Sequence, residues 1–225
     1  VYNNSTGRTY YVFDSSINAT GQVGTTVQAS SAPAMSNVPL GYERETAYGK
    51  NANSSVVIDA DGQSVLKVYY SLIRYTFIFN LNGPYAGTND NYSGTLTGGQ
   101  INIGGQSYNN YNYRIEDVVL GRDISSVWPS GSQVTRRTST NYRFAGWNNP
   151  YNTYGTNSSR ILYVTKRFEV TNELIRGADA TSREKVYQAY WRTNLTTYAL
   201  QYWLQDADNS SIYTPFFLIL IFLAF

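Results

Sequence analysis

The amino-acid sequence predicts a mainly β fold with a few short helices, arranged as tandem small β-grasp-like modules. Three observations carry the fold class. Short runs rich in Val, Ile, Tyr, Phe and Trp recur along the 225-residue chain, as strands require. Clusters of Gly, Asn, Asp and Ser lie between them and supply turn conformations. No stretch holds a 3.6-residue apolar period for long, which excludes an α-rich fold.

Taken in order, strands are expected at residues 56–58 and 65–70, then at 75–81. In this third run (YTFIFNL) Tyr75, Phe77, Phe79 and Leu81 alternate with other residues, which places them on one sheet face, the face that becomes core. Residues 83–112 crowd Gly, Asn, Ser, Thr and Tyr together and read as a long polar loop, with 100–103 as a short strand inside it. Loops of that length are functional or partly β-structured. As a surface insertion it is expected to tolerate shortening between Tyr85 and Tyr113 at small entropic cost. Asp123 as N-cap and Pro129 as stop predict one or two helical turns between them. Residues 170–175 and 181–185 each predict a further single turn. Strands at 142–147, 161–164, 186–191 and 198–203 complete the list.

Charged residues make up 14% of the chain, while Tyr alone occurs 22 times, so the surface is polar without being charged. With 42% hydrophobic residues the chain buries enough area to fold. Its net charge of +2 is carried by scattered basic residues, Arg136 and Arg137 being the one adjacent Arg pair; no phosphate-tracking stripe forms, and nucleic acid is not an expected partner. Cys and His are absent, which removes the commonest nucleophile, the commonest general base and the best transition-metal ligands. No cofactor, metal or catalytic residue is expected. The start at Val1 without Met or a leader reads as a mature or excised fragment.

The end of the chain, FFLILIFLAF at residues 216–225, is about half the length of a membrane-spanning helix, so no complete span is expected. Extended, it covers roughly 33 Å, enough to pair along a sheet edge. Three readings stay open: an altered repeat end, the start of a membrane anchor, and a strand donated to a neighbouring subunit. Under the third, Phe216, Phe217, Leu218, Ile219, Leu220, Ile221 and Phe222 form an inter-subunit strand.

For binding, the Tyr/Asn-rich loop with Tyr85, Tyr92, Tyr108, Tyr111 and Tyr113 stands out, because Tyr beside Ser, Gly and Asn combines rigid contact area with adaptable hydrogen bonding. Trp128, Trp147 and Trp191 read as core rather than as sugar-stacking platforms. The Asp59–Asp61 and Asp206–Asp208 pairs fit turns better than Ca²⁺ loops, lacking the full ligand spacing. Glu116 with Asp117, Glu43 with Glu45, and Glu173 with Asp179 are carboxylate pairs without a spacing that sets them across a cleft. Lys67, on an apolar strand, is the candidate for a buried lysine of covalent cross-link chemistry, against an outward snorkelling position. Eight Asn-x-Ser/Thr sequons follow from composition alone.

The phrases TYALQYWLQDADN (197–209), GY (41–42) and DGQSVLKVYY (61–70), with residues 9–13 and 21–27, resemble parts of mucin-binding-protein-type repeats of Gram-positive surface proteins. The phrases YTFIFNL, LGRDISSVWP (120–129), YRFAGW (142–147) and VYQAYW (186–191) resemble the internalin-type B-repeat, a β-grasp-like module. The resemblance implies a mucin-binding-like module at 1–70 lacking its start, a B-repeat module at 71–194 and the opening of another repeat at 195–225. It further implies an extracellular, bacterial cell-surface adhesin or stalk without catalysis. Its partners are neighbouring repeats or identical subunits, and host protein or glycan. A filament subunit assembled through the apolar C-terminus is the alternative, and a glycan-active enzyme a distant third.

Overall fold

A computed structural model describes residues 1–45, 50–86, 92–136, 141–148, 169–194, 198–205 and 213–220. It is mainly β, with 39% of residues in strands and 6% helical. The N-terminal part forms three two-stranded pairs: β1 (Tyr2–Asn3) with β2 (Arg8–Thr9), β3 (Thr26–Gln28) with β5 (Ser55–Val57), and β4 (Tyr42–Arg44) with β6 (Tyr70–Leu72). After them come β7 (Tyr75–Asn80), β8 (Gly83–Ala86), β9 (Tyr92–Leu96), β10 (Gly99–Ile103), β11 (Gln106–Tyr108), β12 (Arg114–Val118), β13 (Val134–Arg136) and β14 (Tyr142–Asn148). A single helical turn, α1 (Asn172–Ile175), precedes β15 (Glu184–Thr193), and β16 (Ala199–Gln205) pairs with β17 (Tyr213–Leu220).

The core rests on two distant strands that run parallel. β7 and β15 pair with Phe77 opposite Lys185 and Phe79 opposite Tyr187. Antiparallel β12 lies outside β7, and antiparallel β14 lies outside β15. Beyond Leu81 the chain steps sideways and β8 continues along the same edge of β15 as β7, pairing Tyr85 with Trp191. The step needs Gly83: a Cβ there would sit 1.6 Å from the Ala189 carbonyl oxygen, so no side chain fits.

The face read from the sequence is core, with Tyr75, Phe77, Phe79 and Leu81 in one buried cluster; Ile78 and Asn80 between them are buried as well. From β15 the same face receives Lys185, Tyr187, Ala189 and Trp191. Trp128, Trp147 and Trp191, at most 2% exposed, fill this core as expected. The rings meet edge to face, Phe79 with Trp147 at 4.8 Å, Phe79 with Trp128 at 5.1 Å and Phe77 with Tyr187 at 5.2 Å, the arrangement that aromatic quadrupoles favour. Their polar ends are satisfied by backbone carbonyls. Trp147 Nε1 donates to Pro129 O, Trp191 Nε1 to Leu81 O and the Tyr187 hydroxyl to Leu174 O.

Phe144 and Trp147 are three residues apart, a spacing that would send them to opposite faces of a regular strand. Between them the register of β14 shifts against β15, with Phe144 opposite Trp191 and Trp147 opposite Ala189. This bulge, with Gly146 at φ +146°, returns both rings to the core, where they lie 5.0 Å apart.

Four sequence expectations are corrected. Residues 83–112 are not a loop but largely four strands, β8 to β11. Gly104 and Gly105, both at positive φ, close a two-residue hairpin between Ile103 and Gln106, and Ile101 is fully buried. Shortening the chain between Tyr85 and Tyr113 would therefore remove core. The one or two turns expected between Asp123 and Pro129 are reduced to a single turn without a helix, in which Ile124 O accepts from Val127 N and Trp128 N and Asp123 caps Ser125 N as expected. The single turn expected at 181–185 closes earlier, Arg183 N donating to Asp179 O while the Asp179 carboxylate accepts from Thr181 N and Ser182 N, and β15 begins at Glu184. The strand expected at 65–70 is reduced to Tyr70 at the start of β6. The strand expected at 161–164 lies outside the described residues.

Truncating Trp147 to Ala is expected to cost about 3 to 5 kcal/mol, since a large ring and its hydrogen bond leave an unfilled core. Chemical denaturation checks this; an unchanged midpoint would mean that the ring is not core.

Candidate functional site

The five tyrosines of the supposed binding loop do not share a loop. Tyr113 is core: it is buried, its ring lies 5.7 Å from Phe79, and its hydroxyl donates to Val127 O at 2.6 Å. Burial, and then the neighbouring Tyr108, push its pKa up to about 12. Tyr108 packs on it at 5.0 Å and donates its hydroxyl to Gln106 Oε1. Tyr111 turns outward, 47% exposed with φ +62°. This left-handed residue swings the chain from the surface back to the core. Tyr85 and Tyr92 lie on the paired β8 and β9, and their side chains lie outside the described residues.

At the C-terminus, Phe216, Phe217, Leu218, Ile219 and Leu220 lie on β17, while Ile221 and Phe222 lie outside the described residues. β17 pairs antiparallel with β16 of the same chain, Leu218 opposite Gln201 and Leu220 opposite Ala199. One edge of the apolar strand is thus filled from within the chain. No helix among the described residues is long and apolar enough to cross a membrane.

The acidic candidates are engaged separately. Glu43 pairs with Arg183 at 2.9 Å and Asp117 with Arg74 at 3.1 Å. Glu45 accepts from Lys50 N. Backbone and hydroxyl donors of Ser182, with Thr181 N, hold the Asp179 carboxyl below its usual range. At the first Asp pair, Gly62 N donates to Asp59 O and Gln63 N to the Asp61 carboxylate, the bonding of a turn. The pair Asp206 and Asp208 lies outside the described residues. Among the described residues, no three His, Cys, Asp or Glu side chains gather as a metal site.

Of the two positions weighed for Lys67, the outward one is observed, and the buried lysine is one that sequence reasoning missed. Lys67 is exposed; Lys185 is the buried one, 2% exposed. Its ammonium donates to Arg176 O just beyond α1 and lies 5.9 Å from the Tyr187 ring. Desolvation lowers its pKa to about 8. Strand parity would have found it, since 185, 187, 189 and 191 share the core face.

A second missed residue is Asn4. Its amide donates to Gly121 O and to the Glu169 carboxylate, and its oxygen accepts from Asp123 N. With the Glu43–Arg183 pair, it ties the N-terminal hairpins to the central unit. A short sequence offers no sign of such a contact, made across more than a hundred residues. The described surface also holds an open recess of about 390 Å³, lined by Ser125, Trp128, Ser130, Gly131, Ser132 and Gln133. Comparison with protein-family models, curated proteins and solved structures finds no match to this chain.

Lys185 and Tyr113 give stability a two-sided pH dependence at alkaline pH. Lys185 titrates near 8 folded and near 10.5 unfolded, so the unfolded chain binds more protons between these values and stability rises with pH. Tyr113 keeps its proton to about 12 folded against 10 unfolded, so its contribution falls as pH rises through that window. Denaturation curves from pH 7 to 12 should lose the rise in Lys185→Met and part of the fall in Tyr113→Phe, since burial raises the pKa of Tyr75 as well. Unchanged profiles in both variants would contradict these placements.

Proposed function

We propose that this chain is a non-catalytic segment of a bacterial cell-surface protein, an adhesive or spacer module working outside the cell. One observation supports it most. The polar and charged side chains whose bonds are given above are spent on turns, caps, ion pairs and the backbone, as expected of a scaffold that presents a surface. Asp123 and Asp179 cap turns, Asn4 clamps two segments, Lys185 holds a carbonyl, and Glu43 pairs with Arg183.

The polar but weakly charged surface supports the same reading, because hydroxyl and amide groups contact glycans and proteins without strong electrostatic demands. The strand order supports the β-grasp-like description of the central unit: its first and last strands, β7 and β15, are parallel neighbours, with β12 and β14 outside them. Neighbouring repeats would then be its structural partners, and a host protein or glycan its target.

A second reading, the subunit of an extracellular filament, draws on the β16–β17 ribbon. These strands carry no charged residue, and five large apolar residues follow one another in β17.

Solution scattering with a bead-adhesion assay tests the choice. The adhesive or spacer reading expects an elongated particle, and beads carrying the chain that bind a host mucus layer without altering its glycans. Glycan turnover abolished by changing a carboxylate pair would overturn it, a compact sphere would count against the array, and long fibres would favour the second reading.

A further inference from the structure

We propose that the open recess lined by Ser125, Trp128, Ser130, Gly131, Ser132 and Gln133 binds one neutral sugar unit at the end of a glycan chain. The proposal rests on the adhesive reading and adds to it a site and a ligand class.

The walls are held from the core. Val127 O accepts from the Tyr113 hydroxyl and Pro129 O from Trp147 Nε1, both at 2.6 Å. Ile124 O accepts from Val127 N and Trp128 N, and Asp123 caps Ser125 N. Farther along, Ser130 N donates to Gln133 Oε1 and Gln133 N to Ser130 O. The backbone on both sides is thus fixed before a ligand arrives, which lowers the ordering cost of binding.

The side chains on those walls retain bonding capacity. Among the described residues, the Ser125 and Ser132 hydroxyls and Gln133 Nε2 have no hydrogen-bond partner. Since Gln133 Oε1 is engaged by Ser130 N, the amide has its Nε2 left to donate. A serine hydroxyl both donates and accepts, as sugar hydroxyls do. At Gly131, with φ +49°, a Cβ would meet nothing within 4 Å, so the recess is clear there.

The chemistry selects the occupant. No charged residue lines the recess, so a carboxylate or phosphate finds no counter-charge. An apolar ligand would leave the hydroxyls unpaired, and Trp128, 2% exposed, offers it little ring surface. A volume of about 390 Å³ lies toward the small end of ligand sites, and the open mouth lets the rest of a glycan continue into solvent.

Two-dimensional ¹H–¹⁵N NMR of the labelled full chain tests this, with glucose, galactose, mannose and their N-acetylated amino sugars as neutral probes and glucuronic acid as the acidic one. A neutral probe should saturably shift the Gly131 and Ser132 amides and the Gln133 side-chain amide, and glucuronic acid should bind more weakly. Ser125→Ala with Ser132→Ala should weaken that binding about tenfold, since two neutral hydrogen bonds are lost. Ser126→Ala, at an exposed neighbour that does not line the recess, should leave it unchanged. The spectra report folding, and Ser132→Ala alone, at an exposed position, should still weaken binding severalfold if the double variant fails to fold. Shifts confined to other residues, an equal loss in Ser126→Ala, or tighter binding of glucuronic acid overturns the proposal. Beads that adhere to the mucus layer while no probe shifts these amides overturn the recess and leave the adhesive reading standing. Neither adhesion nor shifts overturns both.

Discussion

Parallel pairing of β7 with β15 is the constraint from which the central unit follows. More than a hundred residues separate Phe77 from Lys185, its partner across the ladder. Such a contact forms only if the intervening chain returns in register, and the closure entropy of that long loop has to be offset by what the pairing gathers. What it gathers is a set of rings. Phe77 and Phe79 meet Tyr187, Trp128 packs on them from its tight turn, and Trp147 arrives by way of the β14 bulge. Each ring pair adds about 0.5 to 1.5 kcal/mol beyond its buried area.

That pairing also explains the unusual composition. A small sheet built from aromatic rather than aliphatic side chains carries hydroxyl and indole groups into the interior, and each must find a partner. Here the partners are carbonyls outside regular pairing: Val127 O for Tyr113, Leu174 O for Tyr187, Pro129 O for Trp147 and Leu81 O for Trp191. Turns and strand ends are thereby pinned to the core without charges. Lys185 follows the same pattern by donating to Arg176 O. The N-terminal segment is held differently, through Asn4, Asn51 and exposed ion pairs, and exposed pairs contribute little on their own. Among the described residues, the buried cluster is therefore concentrated between Ile73 and Trp191.

The core faces were legible in the sequence because strand alternation is local: Tyr75 through Leu81 needs only its own pattern, and three bulky indoles have few places to go other than a core. What misled was polarity. Residues 83–112 look like a loop because Gly, Asn and Ser dominate, yet the Gly104–Gly105 pair between Ile103 and Gln106 is a hairpin signal, and Ile101 is the anchor beside it. Tyr113 shares the composition of Tyr111, and only the left-handed backbone at Tyr111 separates surface from core. Asp123 caps a turn as readily as a helix, and Trp128 decides between the two. Lys185 was hidden by the habit of placing lysines outside. Contacts such as Asn4 with Gly121 join segments that no local pattern connects.

Hydrogen exchange followed by mass spectrometry on the intact chain tests most directly whether one unit, organised by β7 and β15, carries the stability. The account predicts that amides of both strands exchange slowest and with matching protection, as parts of one cooperative unit. Amides of β3, β4 and β5 should exchange far faster in the monomer. Equal protection in those N-terminal strands and in β7 and β15, or protection in β7 that differs widely from that in β15, would contradict it.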